Sequence, residues 1–227
     1  ATDYGRSVAT DALGNVYMAG YTDNNTSIAS GGFQNTYGGG DDAFLVKFNA
    51  AGVRQWATYY GDTGFDRPVS VTTDASGNVY IGGLTDSPSG IASGGFQNTY
   101  GGGSIDAFLV KFDATGSRLW ATYYGGTMDE FGYVLITDVS GNVYMAGSTN
   151  SPNGIASGGF QNTYTGGFFS DTTDAFLVKF DATGNRLWAT YYGGTENEEV
   201  SSVATDIVGN VYLAGLTQSS SGIAFGG

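Results

Sequence analysis

Apolar and polar positions alternate over short runs in this chain, and the runs recur in a fixed order. Ser7 to Asp11 alternates. After Ala12-Leu13-Gly14-Asn15 a second run, Val16-Tyr17-Met18-Ala19-Gly20, follows. The spacing predicts a β-hairpin: an Asp can accept backbone N–H groups across a type I turn, and a Gly three residues later can take φ > 0. Ala43 to Phe48 is apolar on both faces, because Phe44, Val46 and Phe48 alternate with Ala43, Leu45 and the long stem of Lys47. A strand of that kind is buried between two layers. Asn49-Ala50-Ala51-Gly52 supplies another turn of the same chemistry, and Gln55 to Tyr60 reads as a strand with one half-buried face. No window carries an apolar stripe at a 3.6-residue period free of Gly or of several β-branched residues, so helices are not expected.

These elements repeat. Ile28-Ala29-Ser30-Gly31-Gly32-Phe33-Gln34-Asn35-Thr36-Tyr37 returns unchanged at Ile91 to Tyr100 and at Ile155 to Tyr164. Ala43 to Phe48 returns from Ala107 and Ala175, and Trp56 to Gly61 returns from Trp120 and Trp188. The Gly-Asn-Val-Tyr blocks at Gly14, Gly77, Gly141 and Gly209 lie 63, 64 and 68 residues apart. Each unit therefore holds strands A, B, C and D, with a loop of about 20 residues around the decamer between B and C. Four antiparallel strands in a unit of about 64 residues is the layout of a propeller blade, so the expected class is all-β with about three and a half blades. Residues 1–5 are assigned to the end of a preceding strand D, 6–66 to blade 1, 67–130 to blade 2 and 131–199 to blade 3. Residues 200–227 are assigned to strands A and B of a partial blade 4. The start at Ala1, without a basic, apolar leader, reads as a processed chain or a fragment.

Composition sharpens this reading. Gly accounts for 39 of 227 residues and Pro for 3, which suits many tight turns between strands. The net charge of −13 opposes binding to nucleic acid or to an anionic membrane surface. No segment approaches the length of an apolar membrane-spanning helix, so membrane insertion by a helix is not expected. Without cysteine or histidine the chain has no thiol chemistry, no usual general base and no usual zinc ligand.

Taken in order, Asp-x-x-Gly-Asn-Val-Tyr, Gly-Gly-Phe-Gln-Asn-Thr-Tyr-Gly-Gly, Asp-Ala-Phe-Leu-Val-Lys-Phe and Trp-Ala-Thr-Tyr-Tyr-Gly-Gly resemble the bacterial seven-bladed beta-propeller repeat family (SBBP repeats). The resemblance covers essentially the whole chain. It implies a piece of a large secreted or surface protein, extracellular or at the cell surface, near adhesion-like or sorting modules, with no shared catalytic residues. Seven blades would need about twice this length, and the copies are nearly identical, which sets the chain apart from a conventional closed ring.

If hairpins A–B and C–D share one face of the blades, the decamer loops and the acidic D–A connections share the other. Asp62, Asp66, Asp129, Glu130, Glu196, Glu198 and Glu199 belong to that face, with Asp41, Asp42, Asp106, Asp171 and Asp174 at the nearby starts of strand C. Such oxygens suit calcium, the one cofactor this sequence suggests, although no Asp-x-Asp-x-Asp-Gly spacing occurs. The structural alternative is a solvated acidic rim. The decamers offer Phe33, Gln34, Asn35 and Tyr37, repeated as Phe96, Gln97, Asn98 and Tyr100 and as Phe160, Gln161, Asn162 and Tyr164, a mixture able to stack on a sugar and hydrogen-bond it. The structural alternative is a loop that satisfies its own backbone. Lys47, Lys111 and Lys179 are expected to snorkel to strand ends or to meet an Asp, and Trp56, Trp120 and Trp188 to pack between blades.

Catalysis is not expected, since an active site needs singular residues and this chain repeats nearly everything. The expected function is a non-catalytic extracellular scaffold or adhesive module that self-associates through blade contacts or joins further blades of a longer chain. The alternatives are a propeller binding surface polysaccharide or peptide through its B–C loops and, third, a carbohydrate-active enzyme using its carboxylates.

Overall fold

A computed structural model describes residues 2–167 and 172–224, and all of its regular elements are strands. Strands β1 (Asp3–Thr10), β2 (Val16–Thr22), β3 (Asp42–Phe48) and β4 (Arg54–Tyr60) form one antiparallel sheet in chain order. The next sheet is β5 (Asp66–Thr73), β6 (Val79–Thr85), β7 (Asp106–Phe112) and β8 (Arg118–Tyr124), and the third is β9 (Glu130–Thr137), β10 (Val143–Thr149), β11 (Asp174–Phe180) and β12 (Arg186–Tyr192). A two-stranded sheet of β13 (Glu198–Thr205) and β14 (Val211–Thr217) follows. The four-stranded repeated sheet is the blade expected from the sequence, and none of the described sheets closes on itself.

Register repeats with composition. Val16 faces Phe48, Val79 faces Phe112 and Val143 faces Phe180, so strands B and C pair identically in each blade. Strands A pack on one another in succession, β1 on β5, β5 on β9 and β9 on β13, which places them at the inner end of the blades. Strands C of the second and third sheets are buried on both faces because neighbouring sheets sandwich them, as their two-sided apolar sequence requires. The outer face of β3 is covered by Met18 and Ile28 of its own blade. Ile91, Phe108, Phe112 and Tyr123 of one blade share a core with Tyr17, Trp56 and Tyr60 of the one before it.

Residues 3–5 differ from expectation. They are not the end of a preceding strand D but the first residues of strand A, where Asp3 pairs with Thr22, Tyr4 with Tyr21 and Gly5 with Gly20. Likewise Asp66, Glu130 and Glu198 open strands A instead of closing the preceding units. A bulge interrupts every A–B pair, between Gly5 and Ser7 in the first sheet and at Ala146/Gly147 in the third. The bulge turns a strand-A carbonyl toward strand B, and only glycine leaves room for it: a Cβ on Gly147 would lie 1.8 Å from the Phe131 carbonyl oxygen.

The long B–C connection is ordered by the outer edge of its own sheet. Ser30 exchanges both backbone hydrogen bonds with Ala57 at 2.8 and 2.9 Å, and Tyr59 N–H donates to the Gln34 carbonyl at 3.0 Å. The decamer thus runs beside strand D as an irregular fifth strand and covers an edge that would otherwise be open to pairing. The same bridges recur at Ser93/Ala121 and Ser157/Ala189.

Candidate functional site

Antiparallel connectivity puts the A–B and C–D turns at one end of the strands and the decamers and D–A connections at the other. On the turn side Asp74 accepts N–H groups from Ser76 and Asn78 at 3.0 Å, the Asn78 amide at 2.8 Å and the Tyr80 hydroxyl at 3.0 Å. Lys111 stands 3.5 Å from it, and Lys179 stands 3.3 Å from the equivalent Asp138. Burial works against the Asp74 charge, but these donors outweigh it and hold its carboxyl below the usual range. Two of the lysines reach forward: Lys47 and the Trp56 indole both donate to the Ala114 carbonyl of the next blade, at 2.9 and 3.1 Å. Lys111 and Trp120 do the same to Ala182, at 3.0 and 3.1 Å. Lys111 therefore meets an Asp and the following blade's turn together, Lys179 meets an Asp and Lys47 a turn, and Trp56 and Trp120 bridge to the next blade.

On the opposite side the decamer glutamines are half-buried and the asparagines exposed, and both hydrogen-bond their own loop or the D–A connection. Gln34 donates to the carbonyls of Thr36 and Gly61, at 2.9 and 3.1 Å, and accepts from Gly61 N–H at 3.2 Å. Gln97 and Gln161 tie down Gly125 and Gly193 in the same manner. Asn35, Asn98 and Asn162 donate to the carbonyls of Gly32, Gly95 and Gly159 at 3.1, 2.9 and 2.9 Å, closing the turn of their own loop. Tyr37, Tyr100 and Tyr164 pack edge-on against Tyr59, Tyr123 and Tyr191. Phe33, Phe96 and Phe160 keep 43, 39 and 68% of their surface exposed, and Asn35, Asn98 and Asn162 with the Thr that follows each are exposed beside them. Two of the rings are capped by the following blade, with the Arg118 guanidinium 4.5 Å above Phe33 and that of Arg186 4.2 Å above Phe96.

The acidic residues separate into distinct environments. Glu196 and Glu199 are exposed. Asp62 accepts the Ser89 hydroxyl at 2.7 Å, and Asp129 accepts Ser104 N–H at 2.6 Å. Asp41 pairs with Arg67 of the next blade. Asp66, Glu130 and Glu198 are buried, accepting the hydroxyls of Thr85, Thr149 and Thr217 at 2.5, 2.6 and 2.6 Å and N–H groups from Asp62, Gly126 and Gly194 at 2.9, 2.8 and 2.9 Å. Among the described residues no three of these acids come together in a group suited to a metal ion. Asp171 lies outside the described residues.

Sequence reasoning placed Asp42, Asp106 and Asp174 only near this face. They are fully buried and stand beside Asp66, Glu130 and Glu198. Burial, with repulsion from neighbouring carboxylates added, pushes Asp42, Asp66, Asp106 and Asp174 up to about 6 and Glu130 up to about 7. Asp3 makes the corresponding contact to Thr22 in the first sheet and was missed because residues 3–5 were read as strand D. Its signal was the eight-residue strand that an acidic residue opens in every copy.

Repeated four-stranded blades, packed face to face with their inner strands in succession, define a β-propeller repeat protein. The family model for the SBBP beta-propeller repeat matches residues 1–25, 55–91 and 187–222, so the chain carries that repeat. It is 29% identical to an uncharacterized WD repeat-containing protein, L264, of Acanthamoeba polyphaga mimivirus over 67% of this chain and 13% of the relative. It is also 29% identical to the regulatory protein FlaEY of Caulobacter vibrioides over 52% of this chain and 12% of that protein. The chain thus spans about an eighth of the length of either relative.

Proposed function

We propose that this chain is a non-catalytic structural module, extracellular or at the cell surface, whose blades are made to be stacked and which associates with further blades, including those of other copies. The observation that carries the reading is how the repeated residues are used. The invariant Lys and Trp donate to the following blade's turn. The decamer Ile residues at 91 and 155 are fully buried, and the Ile155 carbonyl accepts the Tyr124 hydroxyl of the preceding blade at 2.7 Å. Sequence identity between copies is therefore spent on contacts that any copy offers its neighbour, which favours assembly over a single reactive centre.

Sedimentation velocity and negative-stain images of the purified chain test the proposal. Concentration-dependent rings or filaments are expected, and compact monomers at every concentration would contradict it.

A further inference from the structure

Each D–A connection encloses two buried carboxyl groups that the scaffold role does not require. Asp42 and Asp66, Asp106 and Glu130, and Asp174 and Glu198 all have at most 3% of their surface exposed. The two members of each pair converge on one glycine. At the position a Cβ would take on Gly125, Asp106 Oδ1 is 2.4 Å away and Glu130 Oε2 is 2.6 Å away. On Gly193 the distances to Asp174 Oδ1 and Glu198 Oε2 are both 2.6 Å, and on Gly61 those to Asp66 Oδ2 and Asp42 Oδ1 are 2.7 and 2.8 Å.

The remaining oxygens of the second and third pairs have donors. Asp106 Oδ2 accepts Gly101 N–H at 2.6 Å, and Asp174 Oδ2 accepts Thr165 N–H at 2.9 Å. Asp106 Oδ1 and Asp174 Oδ1, the atoms beside the partner carboxyl, are buried without any hydrogen-bond partner, whereas in the first pair Asp42 Oδ1 accepts Gly39 N–H at 3.2 Å and only the carboxyl repulsion remains. An unsatisfied oxygen facing a second carboxylate in the interior is doubly unfavourable, and a single proton relieves both problems at once.

We propose that each junction is closed by one proton shared between its two carboxyl groups, which makes the blade-to-blade connections acid-locked. The ionisable groups facing the pairs are carboxyls and phenols, and the nearest guanidiniums, Arg118 and Arg186, act on the phenols Tyr60 and Tyr124. Asp62 and Asp86 with Tyr37, Tyr59, Tyr60 and Tyr123 face the first pair. Asp129 with Tyr100, Tyr123, Tyr124 and Tyr191 faces the second, and Tyr164 and Tyr191 face the third. Among the described residues the ion pairs of Arg67, Lys111 and Lys179 go to Asp41, Asp74 and Asp138 instead. The raised carboxyl pKa values of these junctions agree with the geometry. Because folding raises them, their contribution is complete below about pH 4, the range of free carboxyls, and is lost as pH rises through 6 to 7.

Thermal unfolding of the whole chain between pH 5 and pH 8, without added metal, tests this. The melting temperature is expected to fall by about 4 °C or more as pH rises. The variant Asp42→Asn/Asp106→Asn/Asp174→Asn places a permanent donor where the proton sits, so its melting temperature should vary little over the same range and match or exceed that of the wild type at pH 8. A structural defect alone would instead lower melting at both pH values and leave the slope. A wild type as stable at pH 8 as at pH 5, or a variant retaining the wild-type slope, overturns the proposal. So does calcium chloride restoring the pH 5 stability at pH 8, which would assign the site to a metal cation. Should the variant not fold, infrared difference spectra of the wild type decide: a protonated-carboxyl band present at pH 5.5 and lost by pH 9 without unfolding supports the shared proton, and its absence refutes it.

Discussion

Asp66 and Asp74 stand at the two ends of a single strand, both with less than a tenth of their surface exposed, yet their acidities move in opposite directions. Asp74 gathers two N–H groups, an amide and a phenol, and has Lys111 beside it. Asp66 also has hydrogen-bond donors, but across from it lies Asp42, another buried carboxyl. Burial is common to both. What decides the sign is the balance of burial against donors. At the more deeply buried Asp66 desolvation outweighs its hydrogen bonds, and at Asp74 the hydrogen bonds outweigh desolvation, with Asp86 and Lys111 adding smaller pushes in the same directions. The turn side of the molecule is thus built to hold anions, and the decamer side is built to lose them.

The comparison is broken most severely on the turn side. Asp74→Ala removes the acceptor for four donors and leaves Lys111 buried without its counter-charge, so urea unfolding should show a loss of about 3–5 kcal/mol. Asp206 has the equivalent turn donors in a half-buried turn, and Asp206→Asn should move the urea midpoint far less. Next in size, Gly125→Ala pushes a methyl group between Asp106 and Glu130 and should cost about 2–3 kcal/mol by the same measurement.

Smaller effects sharpen the contrast. Trp120→Phe keeps most of the packing but deletes the donor to Ala182, for about 1 kcal/mol. Phe33→Ala removes a half-exposed ring stacked under Arg118, for about 0.5–1 kcal/mol, and glycan-array binding that disappeared in this variant would favour the decamers as a ligand surface. Acid should undo the turn side last. The turn carboxyls sit below their usual range, Asp181 at about 2, so their contribution is present above about pH 4 and is lost as pH falls through the lowered values, which an acid titration followed by circular dichroism would detect.

Much of this architecture could be read from the residues. Two-sided apolar strands such as Ala43 to Phe48 announced sandwiched sheets, and Asp-x-x-Gly announced the turns that Asp11, Asp74 and Asp138 close. The decamer's amides were legible as candidates for either glycan or backbone. Only coordinates could show Gln34 spent on Gly61 and Asn35 on Gly32. The start of the first blade was misread because Ala1 to Gly5 echoes Ala57 to Gly61 in letters, whereas strand identity depends on the pairing of Asp3 with Thr22. The carboxyl pairs were hidden for a similar reason. Asp42 and Asp66, Asp106 and Glu130, and Asp174 and Glu198 are each 24 residues apart, a spacing with meaning only once strands C and D have folded back to bring strand A alongside.

The central claim is that these blades are held by one another, through Trp56 and Lys47 on Ala114 and Trp120 and Lys111 on Ala182. Urea unfolding followed in three variants, each retaining a single tryptophan at Trp56, Trp120 or Trp188 with the other two changed to Phe, tests it most directly. Within each variant, fluorescence and far-ultraviolet circular dichroism should give the same midpoint, because losing one blade strips its neighbour of partners. A fluorescence transition of one blade well separated from the loss of total strand signal would contradict the account.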